Sequence, residues 1–321
     1  MSRALPAALL VGVLLAVAVA PGAPSAAPGP RDAGLRSEHD VDVGGGVTLH
    51  VVEVAPAAPR TPARAVLFVP ATLVDHRQWD ADVTEDGSYN GLLRAAALGF
   101  DAYAFDWEGY GQSSHPANGL DVTAERLVPE AGALLEWVRA RSGAERVDMV
   151  AASLGDSIAV ALGGVASPID AAHVGKLALT SNVYANPSPA ILVLTGPGAC
   201  FAMEHSPNGY MDTVAPMYMP ILWTATLEAQ LYAYQTFPGT YAAGPTHEGC
   251  DLPVFPASEG RAPARVFYGT LDLITNEADV QAFCAEYGGP CELDLVEGAG
   301  HAPNFEPIRN TFWEHVFDFF G

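Results

Sequence analysis

The chain has 321 residues, of which 50% are hydrophobic, and its formal net charge at pH 7 is −22. This hydrophobic content is sufficient for a large core and excludes global disorder, while the length allows one large α/β domain or two ordinary ones. A surface this acidic repels phosphate backbones, so nucleic-acid binding is disfavoured. It also argues, more weakly, against an anionic substrate, because the local field of a site can differ from the global one.

The N-terminal segment has the layout of a secretory signal. Arg3 supplies a positive charge, residues 7–20 are apolar throughout, and residues 21–30 are rich in Ala, Gly, Pro and Ser. The apolar run is shorter than the roughly 20 residues that a membrane-spanning helix needs, although an uncleaved anchor is the alternative. We therefore expect a signal peptide at about residues 1–27 and a secreted protein, extracellular or periplasmic, with no membrane span after cleavage.

Apolar runs typical of buried strands alternate with stretches of helical periodicity along most of the chain. The predicted elements are, in chain order, strands at 38–43 and 47–54 joined by a glycine turn, then a strand at 65–69, a helix at 88–98, a strand at 100–105, a helix at 123–141, a strand at 146–151, a helix at 154–165 and a strand at 175–180. The alternation resumes with a strand at 264–268, a helix at 276–287, a strand at 291–296 and a helix at 305–320. This order predicts an α/β fold over residues 38–321, with a mostly parallel sheet, an N-terminal antiparallel hairpin and helices on both faces.

Residues 182–262 interrupt the alternation, and we refer to them as the cap segment. Pro and Gly are frequent there, a helix is possible at 224–235, and residues 216–223 are apolar and aromatic. We interpret the segment as an insertion that covers one end of the sheet, and we expect Met217, Met219 and Trp223 to line a substrate pocket. The alternative is that these side chains only pack the core of the cap itself.

The sequence Ala151–Gly155 has the small-x-Ser-x-Gly pattern of a nucleophile elbow, centred on Ser153. It follows a buried strand and precedes an alanine-rich helix, and a sharp strand-to-helix turn forces the flanking backbones so close that only small residues fit. In such a turn the Ser153 hydroxyl is exposed, and the Leu154 N–H points at a developing oxyanion. The alternative is an accidental serine in a helix start, so the remaining residues must decide.

A serine nucleophile needs a histidine base and an acid that orients the base. The carboxyl ends of parallel strands meet at one edge of the sheet, so these partners should follow strands. Of the nine histidines, only His301 follows the final strand through a glycine-rich loop. Asp272 comes shortly after the strand at 264–268, although it could instead form a turn or cap a helix. No carboxylate directly follows the strand at 175–180, which favours Asp272.

The chain order Ser153, Asp272, His301 resembles that of the α/β-hydrolases, and residues 106–113 resemble the Asp-x-x-Gly-x-Gly-x-Ser turn of that family. The resemblance covers about residues 38–181 and 262–321. Two departures are visible: Ala151 replaces the first elbow glycine, and 70–71 is Pro-Ala where the family usually has His-Gly. The resemblance implies that the oxyanion hole is formed by the amides of Leu154 and Thr72.

Four cysteines, all in the last part of the chain, fit an exported protein. Three pairings are possible. The short spacing between Cys284 and Cys291, with Gly-Gly-Pro between them, favours the pair Cys284–Cys291, which leaves Cys200–Cys250. A metal site is disfavoured because the sequence has no Cys-x-x-Cys and no pair of histidines at helical spacing.

These features predict a serine hydrolase that cleaves a small neutral carboxylic ester, with no metal or cofactor. A Ser153 nucleophile excludes the aspartate-nucleophile dehalogenases and epoxide hydrolases of the same fold. Aminopeptidases, thioesterases, acyltransferases and carbon–carbon hydrolases of this fold remain alternatives, as does a non-catalytic binding protein. An aminopeptidase would need cap carboxylates for the free amine, and the available ones are Glu204, Glu228, Glu248 and Asp251. The sequence does not indicate an oligomeric state.

Overall fold

The computed structural model describes residues 34–182, 184, 202–212, 221–237, 239–247 and 255–321. Several sequence predictions lie outside these residues: the signal peptide at 1–27, the pair Cys200–Cys250, the pocket residues Met217 and Met219, and the cap carboxylates Glu248 and Asp251.

The centre of the molecule is an eight-stranded sheet in the order β1-β2-β4-β3-β5-β6-β9-β10. Its strands are β1 (Gly34–Gly44), β2 (Val47–Pro56), β3 (Ala65–Val69), β4 (Asp101–Phe105), β5 (Val147–Ala152), β6 (Val174–Thr180), β9 (Ala264–Gly269) and β10 (Cys291–Val296). β1 and β2 form an antiparallel hairpin, β2 pairs antiparallel with β4, and every other pairing in this sheet is parallel. The predicted mixed sheet is confirmed, and the carboxyl ends of its parallel strands share one edge.

Helices cover both faces of the sheet. They are α1 (Gly91–Ala97), α2 (Ala124–Ser142), α3 (Leu154–Leu162), α4 (Leu227–Thr236), α5 (Gly244–His247), α6 (Glu277–Glu286) and α7 (Arg309–Phe320). Asn90, Thr123 and Asn276 cap α1, α2 and α6, because each side chain accepts the N–H of the residue three positions on.

Side chains of the sheet alternate between two cores. Leu67 of β3 packs in a cluster with residues of α2, α3 and α6, whereas its neighbour Phe68 packs in a second cluster with residues of α1 and α7. A strand buried on both faces has to be apolar at consecutive positions, and this explains why these strands were visible in the sequence as continuous apolar runs.

Sequence reasoning placed some boundaries wrongly and missed three short elements of the cap segment, two strands and the helix α5. The predicted helix at 154–165 ends at Leu162, before Gly163, and the predicted helix at 305–320 begins only at Arg309, because Pro303 starts a short 3₁₀ turn first. The cap segment contains a small antiparallel pair, β7 (Tyr210–Asp212) with β8 (Thr240–Ala242), which three-residue strands do not reveal by periodicity. Among the described residues, no helix is long and apolar enough to cross a membrane.

Candidate active site

Ser153 occupies a strained turn between β5 and α3. Its φ of 53° and ψ of −114° are unusual for a residue other than glycine. It holds the N-cap position of α3, yet its hydroxyl makes no capping hydrogen bond. Serine at an N-cap normally satisfies a backbone N–H, so this hydroxyl is left available for other chemistry.

Gly155 allows the elbow to approach β3. A Cβ atom at this position would lie 2.8 Å from the carbonyl oxygens of both Val69 and Pro70. Because both obstacles are backbone atoms, no side-chain rotation could relieve the contact. Packing against the end of β3 therefore requires a glycine at position 155, where the sequence pattern predicted a small residue.

His301 and Asp272 are hydrogen-bonded, with 2.8 Å between His301 Nδ1 and Asp272 Oδ2. The carboxylate also accepts the backbone N–H of Ile274 at 2.7 Å and the hydroxyl of Thr275 at 2.8 Å. Burial opposes ionisation, but His301 and these donors lower the pKa of Asp272 below its ordinary value. An ionised, fully bonded Asp272 fixes the ring of His301 with Nε2 as its free nitrogen. Asp272 thus forms the anticipated turn and contacts the histidine as well.

Ser153 and His301 face the same cavity, which has a volume of about 40 Å³. The described residues that line it are Ala71, Thr72, Val74, Gln78, Ala152, Ser153, Ser181, Ile221, Leu222, Phe237, Ile274, His301, Ala302 and Phe305. Within the described part of the chain, the Ser153 hydroxyl has no hydrogen bond, to His301 or to any other group. The structure therefore brings the two side chains to one cavity without bonding them, and such bonds are often long before substrate binds.

The proposed oxyanion donors lie at the start of α3 and in the loop after β3. Leu154 is the first residue of α3, so its N–H has no acceptor inside the helix. Thr72 lines the cavity beside Ser153, whereas the amide of Ala71 is already bonded to Gln78 Oε1 at 2.9 Å. Of the two adjacent amides, Thr72 is thus the one that remains available.

The turn at 106–113 holds the Thr72 loop in place. Trp107 Nε1 donates to the carbonyl of Pro70 at 3.0 Å, and the hydroxyls of Tyr110 and Thr72 are 3.3 Å apart. Asp106 Oδ1 accepts the backbone N–H of His76 at 2.8 Å. The family-like motif seen in the sequence therefore positions the loop that carries Thr72.

Asp156, three residues after Ser153, is fully buried. Burial raises its pKa well above the ordinary value, and the backbone N–H groups of Thr180 and Ser153 offset this only in part. Burial therefore disfavours a negative charge at this place near the nucleophile.

Trp223 does not have the place that the sequence suggested. Its side chain is half exposed, it is absent from the residues that line the cavity, and its indole N–H donates to the carbonyl of Leu271 at 3.0 Å. The neighbouring Ile221 and Leu222 form the wall instead, together with Phe237. The direction of each residue in an irregular segment is not periodic, so the sequence did not show which of these side chains face the cavity.

Two polar residues at the site were missed by sequence reasoning. The Ser181 hydroxyl, at the end of β6, donates to the carbonyl of His301. The carboxylate of Glu306 is fully buried and bonded to the loop that carries His301. Their partners are distant along the chain or are backbone groups, so no spacing pattern indicated either residue. The one signal in the sequence was a carboxylate, Glu306, in the largely apolar stretch before α7.

A second group of polar side chains lies outside this cavity. In the described part of the chain, Asp75, His76 and Asp106 form the one group whose potential metal-ligand atoms lie within 4.8 Å of one another. Asp75 is occupied by Arg77, while Asp106 accepts His76 Nδ1 at 2.7 Å and the Gln112 N–H at 2.8 Å. Although burial opposes it, Asp106 raises the pKa of His76. These hydrogen bonds give the group a structural role, because they join the loop that follows β3 to the loop that follows β4.

Comparison with known proteins identifies the family. The model of the alpha/beta hydrolase family matches residues 66–311, which is most of the chain. The chain belongs to the alpha/beta hydrolase family. No curated protein matches the sequence.

Solved structures of alpha/beta hydrolases superpose on nearly the whole chain. A thermophilic esterase from Thermogutta terrifontis is 15% identical, with a TM-score of 0.64, and covers 89% of this chain and 98% of its own. The enol-lactonase from Burkholderia xenovorans LB400 is 19% identical, with a TM-score of 0.62, and covers 87% of this chain and 98% of its own. A thioesterase domain from the curacin biosynthetic pathway is 15% identical, with a TM-score of 0.64, and covers 88% of this chain and 99% of its own. At these identities the likeness establishes the fold, and the reaction has to be argued from the site.

Proposed function

We propose that this alpha/beta hydrolase is a serine esterase that cleaves small neutral carboxylic esters through an acyl-enzyme. The observation that carries the proposal is the bonded pair His301–Asp272 facing the same cavity as an uncapped, strained Ser153. A non-catalytic binding protein would have no use for a serine whose hydroxyl is withheld from helix capping.

In this mechanism Ser153 Oγ attacks the ester carbonyl while His301 Nε2 accepts its proton. Asp272 stabilises the imidazolium through the Nδ1–H bond and remains ionised. The amides of Leu154 and Thr72 stabilise the oxyanion of the tetrahedral intermediate. His301 then protonates the departing alcohol, and a water molecule, activated by the same histidine, hydrolyses the acyl-enzyme.

The cavity supports a short, uncharged acyl group. Its volume of about 40 Å³ is room for roughly three buried water molecules, at the volume that one water needs. Its described lining includes no carboxylate, and the described cap carboxylates Glu204 and Glu228 are exposed and do not line it. An aminopeptidase would need a carboxylate there to hold a substrate amine, so an ester is the better fit.

Hydrolysis of a graded panel of substrates tests the proposal. We would assay p-nitrophenyl esters from acetate to laurate beside an acyl thioester and amino-acyl p-nitroanilides. We expect Ser153→Ala to lower kcat by on the order of 10⁵–10⁶-fold and to abolish labelling by a fluorophosphonate probe. Ser157→Ala is the matched control, because Ser157 is equally buried, at 8% exposure, one turn further along α3. Equal turnover by Ser153→Ala and the wild type would reject the assignment.

We also propose that the protein is exported. The signal-like residues 1–27 support this, and so does the disulfide that the structure forms between Cys284 and Cys291, since such bonds persist in oxidising compartments. Expression of the full chain with an intact export pathway should yield an extracellular or periplasmic protein whose mass lacks about the first 27 residues. An intact N-terminus on the cytoplasmic protein alone would contradict export.

A further inference from the structure

One short stretch of the cap segment is bonded to both loops that carry the proposed base and acid. We name residues Trp223–Thr226 the cap clamp. Trp223 Nε1 donates to the carbonyl of Leu271, next to Asp272, at 3.0 Å. Thr224 Oγ1 donates to Glu306 Oε1 at 2.7 Å.

The clamp has a third bond, to the turn that follows the base. The backbone N–H of Thr226 donates to the carbonyl of Phe305 at 3.2 Å. The first two clamp residues directly follow Ile221 and Leu222, which form part of the cavity wall. A displacement of that wall is therefore transmitted to the two catalytic loops through a few short bonds.

Glu306 links the clamp to His301. Its side chain is fully buried, and its two oxygens accept the N–H of Gly300 at 2.9 and 2.8 Å. The N–H of Ala302, on the other side of His301, also favours the charged form of this carboxylate. Burial raises the pKa of Glu306, while the Thr224 hydroxyl and these N–H groups oppose the rise. Thr224 and Gly300 both donate to this carboxylate.

The fit around this carboxylate is close. A Cβ atom at Gly300 would lie 2.2 Å from Thr224 Oγ1 and 3.1 Å from Glu306 Oε1. The residue before His301 is therefore confined between the clamp and the carboxylate. The two bonds to the Gly300 N–H hold the loop just before His301, and the bond to Asp272 fixes the rotation of the ring.

We propose that Glu306 is a positioning residue for His301, and that Thr224 couples this positioning to the substrate-facing wall of the cap. The proposal rests on the proposed function, in which His301 is the general base. Glu306 does not line the cavity, so it acts on the reaction only through the loop at 300–302. A misplacement of a catalytic group by about 1 Å can cost on the order of 100-fold in rate, so small shifts of this loop are measurable.

The test compares Glu306→Gln with variants of the clamp and a remote control. Glu306→Gln keeps the shape of the side chain but replaces one carboxylate oxygen with an NH₂ group. One of the two acceptors of the Gly300 N–H can then be lost, because two donors would face each other. We expect kcat on p-nitrophenyl acetate to fall at least ~10-fold while KM changes less than ~3-fold. Glu130→Gln is the control, because Glu130 is a buried glutamate on α2 whose side chain accepts a hydrogen bond from Arg126 of the same helix. It should leave both constants unchanged.

Variants at Thr224 separate positioning from mere stability. Thr224→Val removes the hydroxyl at nearly constant volume and should lower kcat ~3- to 10-fold, whereas Thr224→Ser should restore it. A purely structural role of Thr224 would lower the melting temperature of Thr224→Val and leave its kcat unchanged. Unchanged kcat in both Glu306→Gln and Thr224→Val would overturn the proposal.

A spectroscopic readout keeps the proposal testable apart from ester hydrolysis. The His301 Nδ1–H proton, bonded to Asp272, should give a downfield proton NMR signal that disappears in His301→Gln. We expect this signal to be sharp in the wild type and broadened or lost in Glu306→Gln, because a mobile loop exposes the proton to exchange. An unaltered signal in Glu306→Gln would refute the positioning role of Glu306. A wild-type protein that gives the signal but turns over no ester would refute the proposed function alone.

Discussion

Gly155→Ala tests whether the elbow is held at a fixed distance from the neighbouring strand. The new Cβ would lie 2.8 Å from the carbonyl oxygens of Val69 and Pro70, a contact that real Cβ atoms essentially never make. Val69 is paired with Ala151 of β5, so neither strand can move without breaking the sheet register. The turn must therefore shift, and overpacking of this kind typically costs about 1–3 kcal/mol.

The expected result has two parts. The melting temperature should fall by roughly 2–8 °C for a chain of this size. The shift of the turn also moves the Ser153 hydroxyl and the Leu154 amide relative to the Thr72 loop. For a displacement approaching 1 Å, we expect kcat for p-nitrophenyl acetate to fall about 100-fold, with little change in KM.

Gly132→Ala is the matched control for this substitution. Gly132 is inside α2, and an added Cβ would meet only side-chain atoms, the closest being Ile169 Cγ2 at 3.1 Å. Side chains can yield, and alanine is the better helix former by about 1 kcal/mol, so stability should hold or rise and activity should not change. If Gly155→Ala behaved like Gly132→Ala in both measurements, the argument from the close approach of β3 and the elbow would be refuted.

Three further predictions follow from burial, cavity size and covalent linkage. Asp156→Asn should raise the melting temperature more at pH 8 than at pH 4. Because burial raises the pKa of Asp156 above its ordinary value of 3.8, the unfolded state ionises more readily than the folded state, and the wild type loses stability as the pH rises above that value. Leu222→Ala should enlarge the cavity, so the ratio of kcat/KM for the hexanoate ester to kcat/KM for the acetate ester should rise by about 10-fold. An unchanged ratio with a lower melting temperature would show that Leu222 only packs in the core of the cap. Cys284→Ser with Cys291→Ser should cost about 2–3 kcal/mol, measured by urea unfolding, because the disulfide closes a short loop of sequence separation 7, and esterase activity should be retained.

The sheet was predictable because its central strands are buried on both faces, so their sequences are uninterrupted runs of apolar residues. β10 was found at its full length, Cys291–Val296, and β5 was misplaced by a single residue. Helix ends were less accurate where the capping side chain was not recognised: α1 was predicted from Ser88 but begins after its cap Asn90. The pair β7–β8 was missed because strands of three residues do not show a period.

The site was predictable to the extent that it depends on chain order. Ser153, Asp272 and His301 each follow a strand of the parallel sheet, and the topology alone brings such loops together. The details that involve the cap were not predictable: Trp223 faces Leu271 instead of the cavity, and Glu306 contacts backbone amides and Thr224. These contacts depend on how an irregular segment is placed over the sheet, which no local pattern specifies.

Backbone strain in the structure is concentrated where the proposed chemistry occurs. Four described residues other than glycine have positive φ, and three of them, Leu73, Ser153 and Ser181, lie just beyond the carboxyl ends of β3, β5 and β6. These three strands are direct neighbours in the sheet. The fourth, Asn208, is of a residue type that adopts this conformation readily.

Each strained residue costs on the order of 1–3 kcal/mol, and such residues persist only when the surrounding packing determines them. The parallel strands supply that packing, since β3, β5 and β6 are hydrogen-bonded to neighbours along both edges. Two of the three, Ser153 and Ser181, line the cavity, and Leu73 lies between Thr72 and Val74, which line it as well. A preorganised nucleophile and oxyanion hole require strain at these positions. Ser153 is the proposed nucleophile, Leu73 follows the proposed oxyanion donor Thr72, and the Ser181 hydroxyl donates to the carbonyl of His301. This distribution is therefore independent support for a catalytic over a purely structural interpretation of the site.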